Sequence, residues 1–516
     1  MVVDCEKSYN PLLLLRRSVP HVVVFPFPAQ GHIRPFLQFS RTLVAEDDMD
    51  VTFVTTAPHL DRCRRALLQL EEDARFKAHS RNNIQLVCLE MPAESGKTTS
   101  FVGLERPVRN LRDNFAEVMK GLVMAASSSY SSFVGTIKNP PGSAPPTTHH
   151  FGPPSCIISD MFLGWTQDVA DEFKVPRYCL APCATHFISF MLRLPEWNAQ
   201  GRIPVPVEID GEPYTIPGLP PIAPLEMDRN VRDKEGSEVL LYHAKCLWRA
   251  AGILVNSVFK LEASIIKGLQ DVPRILTVGP FLEGIGNQAS GGKPQVAEVD
   301  NECLQWLSKQ SRESVLYICF GTITAHGREQ INEIALGLES SGAHFLWVVR
   351  VPTDEKGTIV DVAKLLPKGF LERTKDRGLV YFSWAPQLQI LAHPAIKGFL
   401  THCGWNSTME SIAMGVPMIA WPDDADQMVN CRLCVEILNI AIPVQKTGEV
   451  SEIIGQNEVK RVVQLFMEDV EIFHALKTNV QEFSKVMGGA HACGGSSKVN
   501  LDLFVDELNS MTLIKL

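Results

Sequence analysis

The chain has no apolar run long enough to cross a bilayer as a helix. Its N-terminal LLLLRR offers only Leu12 to Leu15, against the roughly twenty apolar residues a spanning helix needs. The same run is too short for the apolar core of a secretory signal. There is also no basic block. Lys and Arg number 49 against 58 Asp and Glu, a net charge of -9. This argues against nucleic acid and anionic membrane surfaces as partners. The 13 cysteines lack the short paired spacings of a zinc site or a disulfide framework, which points to a reducing compartment. The one close pair, Cys431-x-x-Cys434, has no second pair and falls in a helical pattern, DQMVNCRLCVEIL. Finally, no Gly-x-Gly-x-x-Gly follows the first expected strand. The Gly284-Ile-Gly286 in the polar stretch 284–298 leads into no helix, so a dinucleotide fingerprint is missing. These absences predict a soluble, cytoplasmic protein with no membrane span.

The chain's 516 residues exceed one ordinary domain, and two are expected. HVVVFPFP from His21 reads as a buried strand, and AQGH as a short loop. IRPFLQFSRTLVAEDD follows as a helix that tolerates Pro35 in its first turn. DVTFVTTAP and CIISD continue the alternation, the latter followed by the helical MFLGWTQDVADEF. NPPGSAPPTTHHFGPP, residues 139–154, is a loop whose His149 and His150 have no ligand-type partner nearby. After the linker 284–298 the pattern restarts with SVLYICFG, HFLWVVR, GLVYFSW, KGFLTHCG and PMIAWP as strands separated by helices. Repeated β-α units imply parallel sheets covered on both faces. The expected architecture is α/β, two Rossmann-like domains facing a cleft. The boundaries are an extension 1–20, a domain 21–280, a domain 281–490 and a closing helix within 491–516.

In open α/β sheets, ligands bind beyond the carboxyl ends of the strands, where helix N-termini present unpaired N–H groups and a positive dipole end. THCGWNSTMES, Thr401 to Ser411, has that design. Gly404 permits close approach, Asn406 and Ser407 suit a helix cap, His402 can donate to a phosphate, and Glu410 lies one turn along. An ordinary capped helix would look similar. Two neighbouring strand ends, however, carry WAPQ (Trp384 to Gln387) and WPDDADQ (Trp421 to Gln427). An indole with an amide, a phosphate cradle, and a carboxylate with an amide can together stack a base, hold a diphosphate and bond a polyol.

The segment Trp384 to Gln427 resembles the 44-residue signature of plant UDP-sugar-dependent glycosyltransferases acting on small molecules. PFPAQGHIRP, CIISDMFLGWTQDVA, VLYICFGTIT and GLESSGAHFLWVVR extend the likeness over most of the chain. The resemblance implies the GT-B fold, with the donor held mainly by the C-terminal half. It places Trp384 on uracil, Ala385 and Gln387 at the base edge, and Glu410 on the ribose. It places His402, Asn406, Ser407 and Thr322 on the diphosphate, with Gly404 keeping the backbone close and Trp405 beside the phosphates and sugar. Asp426 and Gln427 would bind sugar hydroxyls. His32 would be the general base and Asp160 the carboxylate that orients it, in the manner of a His-Asp dyad.

The implied reaction is an inverting transfer of glucose, or another sugar, from its UDP conjugate to a small hydrophobic acceptor such as a flavonoid, another phenol or a terpenoid. Phe162, Trp165, Phe187 and Phe190 are candidates for the acceptor wall. Asp424-Ala-Asp426 is formally a metal-binding D-x-D, but it falls within the sugar-contacting element. No metal and no cofactor beyond the UDP-sugar co-substrate are expected, and the chain is expected to be monomeric. A UDP-sugar epimerase and a non-catalytic sugar-nucleotide binder are the alternatives of other classes.

Overall fold

The computed structural model describes residues 19–47, 49–72, 84–91, 101–125, 151–205, 211–224, 227–269, 272–282, 301–321, 326–349, 365–445 and 453–514. The linker 284–298, His149, His150 and nearly all of the extension 1–20 lie outside them.

The first sheet contains β1 (His21–Phe25), β2 (Asp50–Thr56), β3 (Ile84–Leu89), β4 (Pro154–Asp160), β5 (Arg177–Ala181), β6 (Gly252–Val255) and β7 (Ile275–Thr277), in the order β3-β2-β1-β4-β5-β6-β7. The second contains β8 (Val315–Cys319), β9 (His344–Val348), β10 (Gly378–Tyr381), β11 (Ile396–Thr401), β12 (Met418–Ala420) and β13 (Ala441–Pro443), in the order β10-β9-β8-β11-β12-β13. Neighbouring strands run parallel in both sheets. Strands covered on both faces should be apolar throughout rather than alternating. The chain obeys this: in HVVVF, Val22 and Val24 pack into one core cluster, and Val23 and Phe25 into the one on the opposite face. In β11, Phe399 and Leu400 divide in the same way.

Each sheet reverses its strand order once, between β1 and β4 in the first and between β8 and β11 in the second. At such a switch point the two connections leave toward opposite faces and open a crevice beyond the strand ends. The residues after β1, β4, β8 and β11 therefore line crevices for reasons of topology alone.

The helix Ser496–Ile514 lies against the first sheet. Its Leu501, Phe504, Val505 and Leu508 join the core cluster of Val22 and Val24, and Asn500 donates to the Thr277 carbonyl at 2.9 Å. Among the described residues, no helix is long and apolar enough to cross a membrane.

Candidate active site

His32 belongs to the helix Gln30–Asp47, which starts earlier than the sequence suggested, so its ring projects from a first helical turn rather than from a loop. The turn sits at the carboxyl end of β1, beside the end of β4, which is Asp160. His32 Nδ1 lies 2.8 Å from Asp160 Oδ2, and the Phe162 N–H donates to Oδ1 at 3.0 Å. Both carboxylate oxygens are thus engaged. A carboxylate only accepts, so Nδ1 carries the proton and Nε2 carries the lone pair. Asp160 is fully buried, whereas the His32 side chain keeps 23% of its surface exposed. Burial alone would depress the His32 pKa. The charge of Asp160, its hydrogen bond and the charge of Asp426 outweigh burial and raise it above the ordinary value. Phe27 and Phe162 pack on the ring at 5.4 and 5.8 Å between centroids.

Pro35 stands inside this helix, one turn beyond Gly31. Without an N–H it cannot bond the carbonyl four residues earlier, which is that of Gly31. That carbonyl accepts instead from Asn406 Nδ2 of the opposite domain, at 2.8 Å. The turn that presents His32 is in this way tied directly to the second half of the molecule.

Across the cleft, β11 ends at Thr401, and the helix Trp405–Met414 begins four residues on. The cap residue is Gly404, and no side chain caps the helix. Asn406 and Ser407, which the sequence suggested as caps, fall within the first turn, and Asn406 spends its amide on Gly31. The helix start is thereby left with N–H groups for an anion. Cys403, before it, holds a left-handed φ of 64°, a strained conformation for a residue with a Cβ.

The His402 ring lies between two glycines. A Cβ on Gly321, just past β8, or on Gly404 would fall 2.5 Å from its Nε2. Gly404 thus makes room for the imidazole as well as for a ligand. Burial drives the His402 pKa down to about 4, so the ring is neutral near neutral pH. Thr322 lies outside the described residues.

Around this corner the other candidates assemble in part. Gln387 donates to Ser407 Oγ at 3.0 Å and to Glu410 Oε2 at 2.7 Å, and accepts from Tyr317 at 3.2 Å. Ala385 is buried, while Trp384 is 55% exposed with the Arg34 guanidinium 5.3 Å from its ring centroid. Gln427 accepts at Oε1 from the N–H groups of Asp423 and Asp424, at 2.9 and 3.2 Å. Asp426 accepts from Asn430 Nδ2 at 2.9 Å.

Trp405 opens the helix at this corner and turns its side chain toward the first domain. Its indole is buried, donates to the Asn256 carbonyl of the first domain at 2.7 Å, and meets His186 edge-on. It is a wedge between the domains. The aromatic candidates for the acceptor wall also divide. Trp165 is core, packed against Phe25 and Phe115, and Phe187 and Phe190 stack on each other in a buried cluster. Phe162 alone of the four lies against His32.

The Asp424-x-Asp426 carboxylates face different partners. Asp424 accepts from the Arg229 N–H at 3.4 Å, whereas Asp426 is turned to Asn430. Among the described residues, no group of His, Cys, Asp and Glu forms a metal-ligand cluster.

Sequence reasoning missed Arg34, His186, Glu262 and Asn430. Only Asn430 carried a local signal, one turn past Gln427 in DQMVN. The others matter through contacts over long sequence separations.

Two parallel-sheet domains, each with a switch-point crevice, facing one cleft, make up the GT-B fold. Residues 279–462 match the family described as UDP-glucoronosyl and UDP-glucosyl transferase, and residues 18–129 match the one described as glycosyltransferase, N-terminal domain. The chain is 35% identical to UDP-glycosyltransferase 72B1 of Arabidopsis thaliana, over 88% of its own length and 89% of that protein's. It is 30% identical to an anthocyanidin 5,3-O-glucosyltransferase of a Rosa hybrid cultivar, over 93% and 97%. The solved Phytolacca americana UGT2, complexed with UDP-2fluoro-glucose and pterostilbene, is similar with a TM-score of 0.76 and 26% identity, covering 95% and 100% of the two chains. The chain belongs to the plant UDP-glycosyltransferase family, enzymes that transfer a sugar from a UDP-sugar to small molecules.

Proposed function

We propose that the protein transfers glucose from UDP-glucose to a hydroxyl of a small phenolic acceptor, with inversion at the anomeric carbon and His32 as general base. The observation that carries this reading is the His32–Asp160 contact at a switch point, aimed at the cleft, with the Asp426 charge reaching the same ring from the other domain. His32 Nε2 takes the acceptor's O–H proton as the oxygen bonds to C1 of the sugar. The C1–O bond to the diphosphate breaks, and its electron pair leaves with UDP. Asp160 keeps Nδ1 protonated and stabilises the imidazolium that forms.

The uncapped N-terminus at Gly404 and the neutral His402 donate to the diphosphate and take up its leaving charge. Trp384 stacks the uracil, with Ala385 at its edge. The linked Gln387, Ser407 and Glu410 side chains receive the ribose end. Gln427, its oxygen fixed by two backbone N–H groups, turns its NH2 to a sugar hydroxyl that Asp426 also binds.

Phe27 and Phe162 on the His32 ring favour a flat apolar acceptor. The rose relative is named for an anthocyanidin, and the Phytolacca americana complex holds pterostilbene; both are phenols. The separate engagement of Asp424 and Asp426 supports a metal-independent reaction. The test is product mass and anomeric configuration with UDP-glucose and a panel of phenols, terpenoids and carboxylic acids. A β-glucoside of a phenol is expected, with undiminished rate in EDTA. Retention of configuration, or an EDTA loss reversed only by Mn²⁺, would overturn the mechanism.

A further inference from the structure

A buried polar chain joins the two domains and takes no part in the steps above. Glu262, at 0% exposure, precedes the helix Ala263–Gly268 in the first domain. Its carboxylate accepts from the N–H groups of Thr185 and His186, each at 2.9 Å, and from Ser257 Oγ. His186 Nδ1 lies 2.9 Å from the same carboxylate. Burial opposes the charge on Glu262. The His186 bond and charge, Ser257 and the Thr185 N–H outweigh it, so the carboxyl stays below the ordinary range and is ionised.

The other ring nitrogen, Nε2, lies 2.8 Å from Asn430 Oδ1 in the second domain. The far end of that amide settles which way it points. Asn430 Nδ2 donates to the Cys403 carbonyl at 2.8 Å and to the Asp426 carboxylate at 2.9 Å. Reversed, the amide would set its oxygen against two acceptors. Asn430 therefore shows His186 its oxygen, and Nε2 must donate. Nδ1 lies against a carboxylate, so both ring nitrogens face acceptors. A buried polar ring without partners is costly, but this one has Glu262 on one side. On the other it reaches Asp426 through the Asn430 amide.

We propose that Glu262 and His186, through Asn430, are positioning residues for the Asp426 carboxylate, so that the sugar end of the donor site is completed by the first domain. The chain pins Asp426 Oδ2 and leaves Oδ1 to accept from a sugar hydroxyl. It also opposes the burial that raises the Asp426 pKa, since Asn430, His186 and His32 all act to keep that carboxyl ionised. The same amide grips the Cys403 carbonyl, one residue before the cap of the phosphate-facing helix. Trp405, edge-on to His186 at 5.9 Å between centroids, closes the chain from solvent.

The inference rests on Asp426 as a sugar contact, and the experiment separates the two. His186→Ala and Asn430→Ser are compared with Asp426→Asn and with the His186→Ala/Asp426→Asn double variant. Calorimetry measures UDP binding, and steady-state kinetics give KM and kcat with UDP-glucose. UDP has no sugar, so its affinity should change less than about twofold. KM for UDP-glucose should rise by about tenfold or more in each single variant, as for a lost hydrogen bond to a charged group. In the double variant the losses should not add, because both changes act on one contact. If UDP and UDP-glucose weaken together, the chain is only a strut between domains and the proposal fails. Additive losses would also sink it. If Asp426→Asn leaves KM unchanged while His186→Ala raises it, the sugar role of Asp426 is what fails. Should His186→Ala not fold, Asn430→Ser carries the same comparison.

Discussion

His32 and His402 are the same side chain at corresponding kinds of place. Each follows a strand at the switch point of its sheet, each faces the cleft, and each has burial working against its charge. Yet their pKa values move in opposite directions. His32 has a buried carboxylate at 2.8 Å and goes up. His402 is enclosed by Gly321 and Gly404, has only a backbone hydrogen bond at Cys319 and the charge of Asp423 to help it, and goes down to about 4. Desolvation is common to both, so the contacting carboxylate decides the difference. In the proposed reaction, the first corner exchanges a proton near neutral pH, and the second donates to a charge without exchanging one.

The largest expected effect on this contrast is the loss of His32. His32→Ala should lower kcat by about 10²–10⁴-fold, the range for a positioned general base, with KM for UDP-glucose nearly unchanged. Undiminished product formation would end the assignment. Asp160→Asn comes next, with kcat/KM down by about 10²-fold or more. Its pH profile is the sharper readout. The base must be deprotonated, so the acidic limb of kcat/KM marks its pKa. Removing the carboxylate leaves burial in control, which lowers that pKa, so the limb should move to lower pH even as the maximum falls. A limb that stays in place would mean that Asp160 does not set the basicity of His32.

On the other side of the cleft, Gly404→Ala puts a Cβ against the His402 ring. It should weaken UDP binding by about tenfold, the scale of a forced overpacking, while leaving the acidic limb of the remaining activity unmoved. The smallest effect is a predicted constancy. In the His32→Ala background, UDP-glucose affinity by calorimetry should stay level between about pH 5.5 and 8, because His402 is neutral throughout that interval. A rise on acidification would show that His402 takes up a proton to bind the diphosphate.

Much of this was legible along the chain. Near-continuous apolar strands alternating with amphipathic helices announce parallel sheets, since a strand covered on both faces has no polar side. The corner at Thr401 to Ser411 was readable because strand, glycine and helix start are consecutive. The His32–Asp160 pair was readable only through family resemblance, as 128 residues separate its members. Less of the detail came through. Asn406 looked like a cap because Asn commonly is one. Its real partner, the Gly31 carbonyl, is released by Pro35 in the other domain. The contact of the Trp405 indole with the Asn256 carbonyl of the first domain had no local signal. Of four aromatic residues offered for the acceptor wall, burial leaves Phe162 against the base and sends Trp165, Phe187 and Phe190 into the core.

The amino-acid sequence by itself determined the two α/β halves, their strand-end motifs and the residue types available for chemistry, because those follow from local periodicity and spacing. Only the tertiary structure decided which histidine is basic and which is neutral. It also decided which way the Asn430 amide points, and that His186 and Glu262 of the first domain reach that amide at all. Those outcomes depend on desolvation and on hydrogen-bond partners brought together from distant parts of the chain, and neither is a property of any short stretch of it.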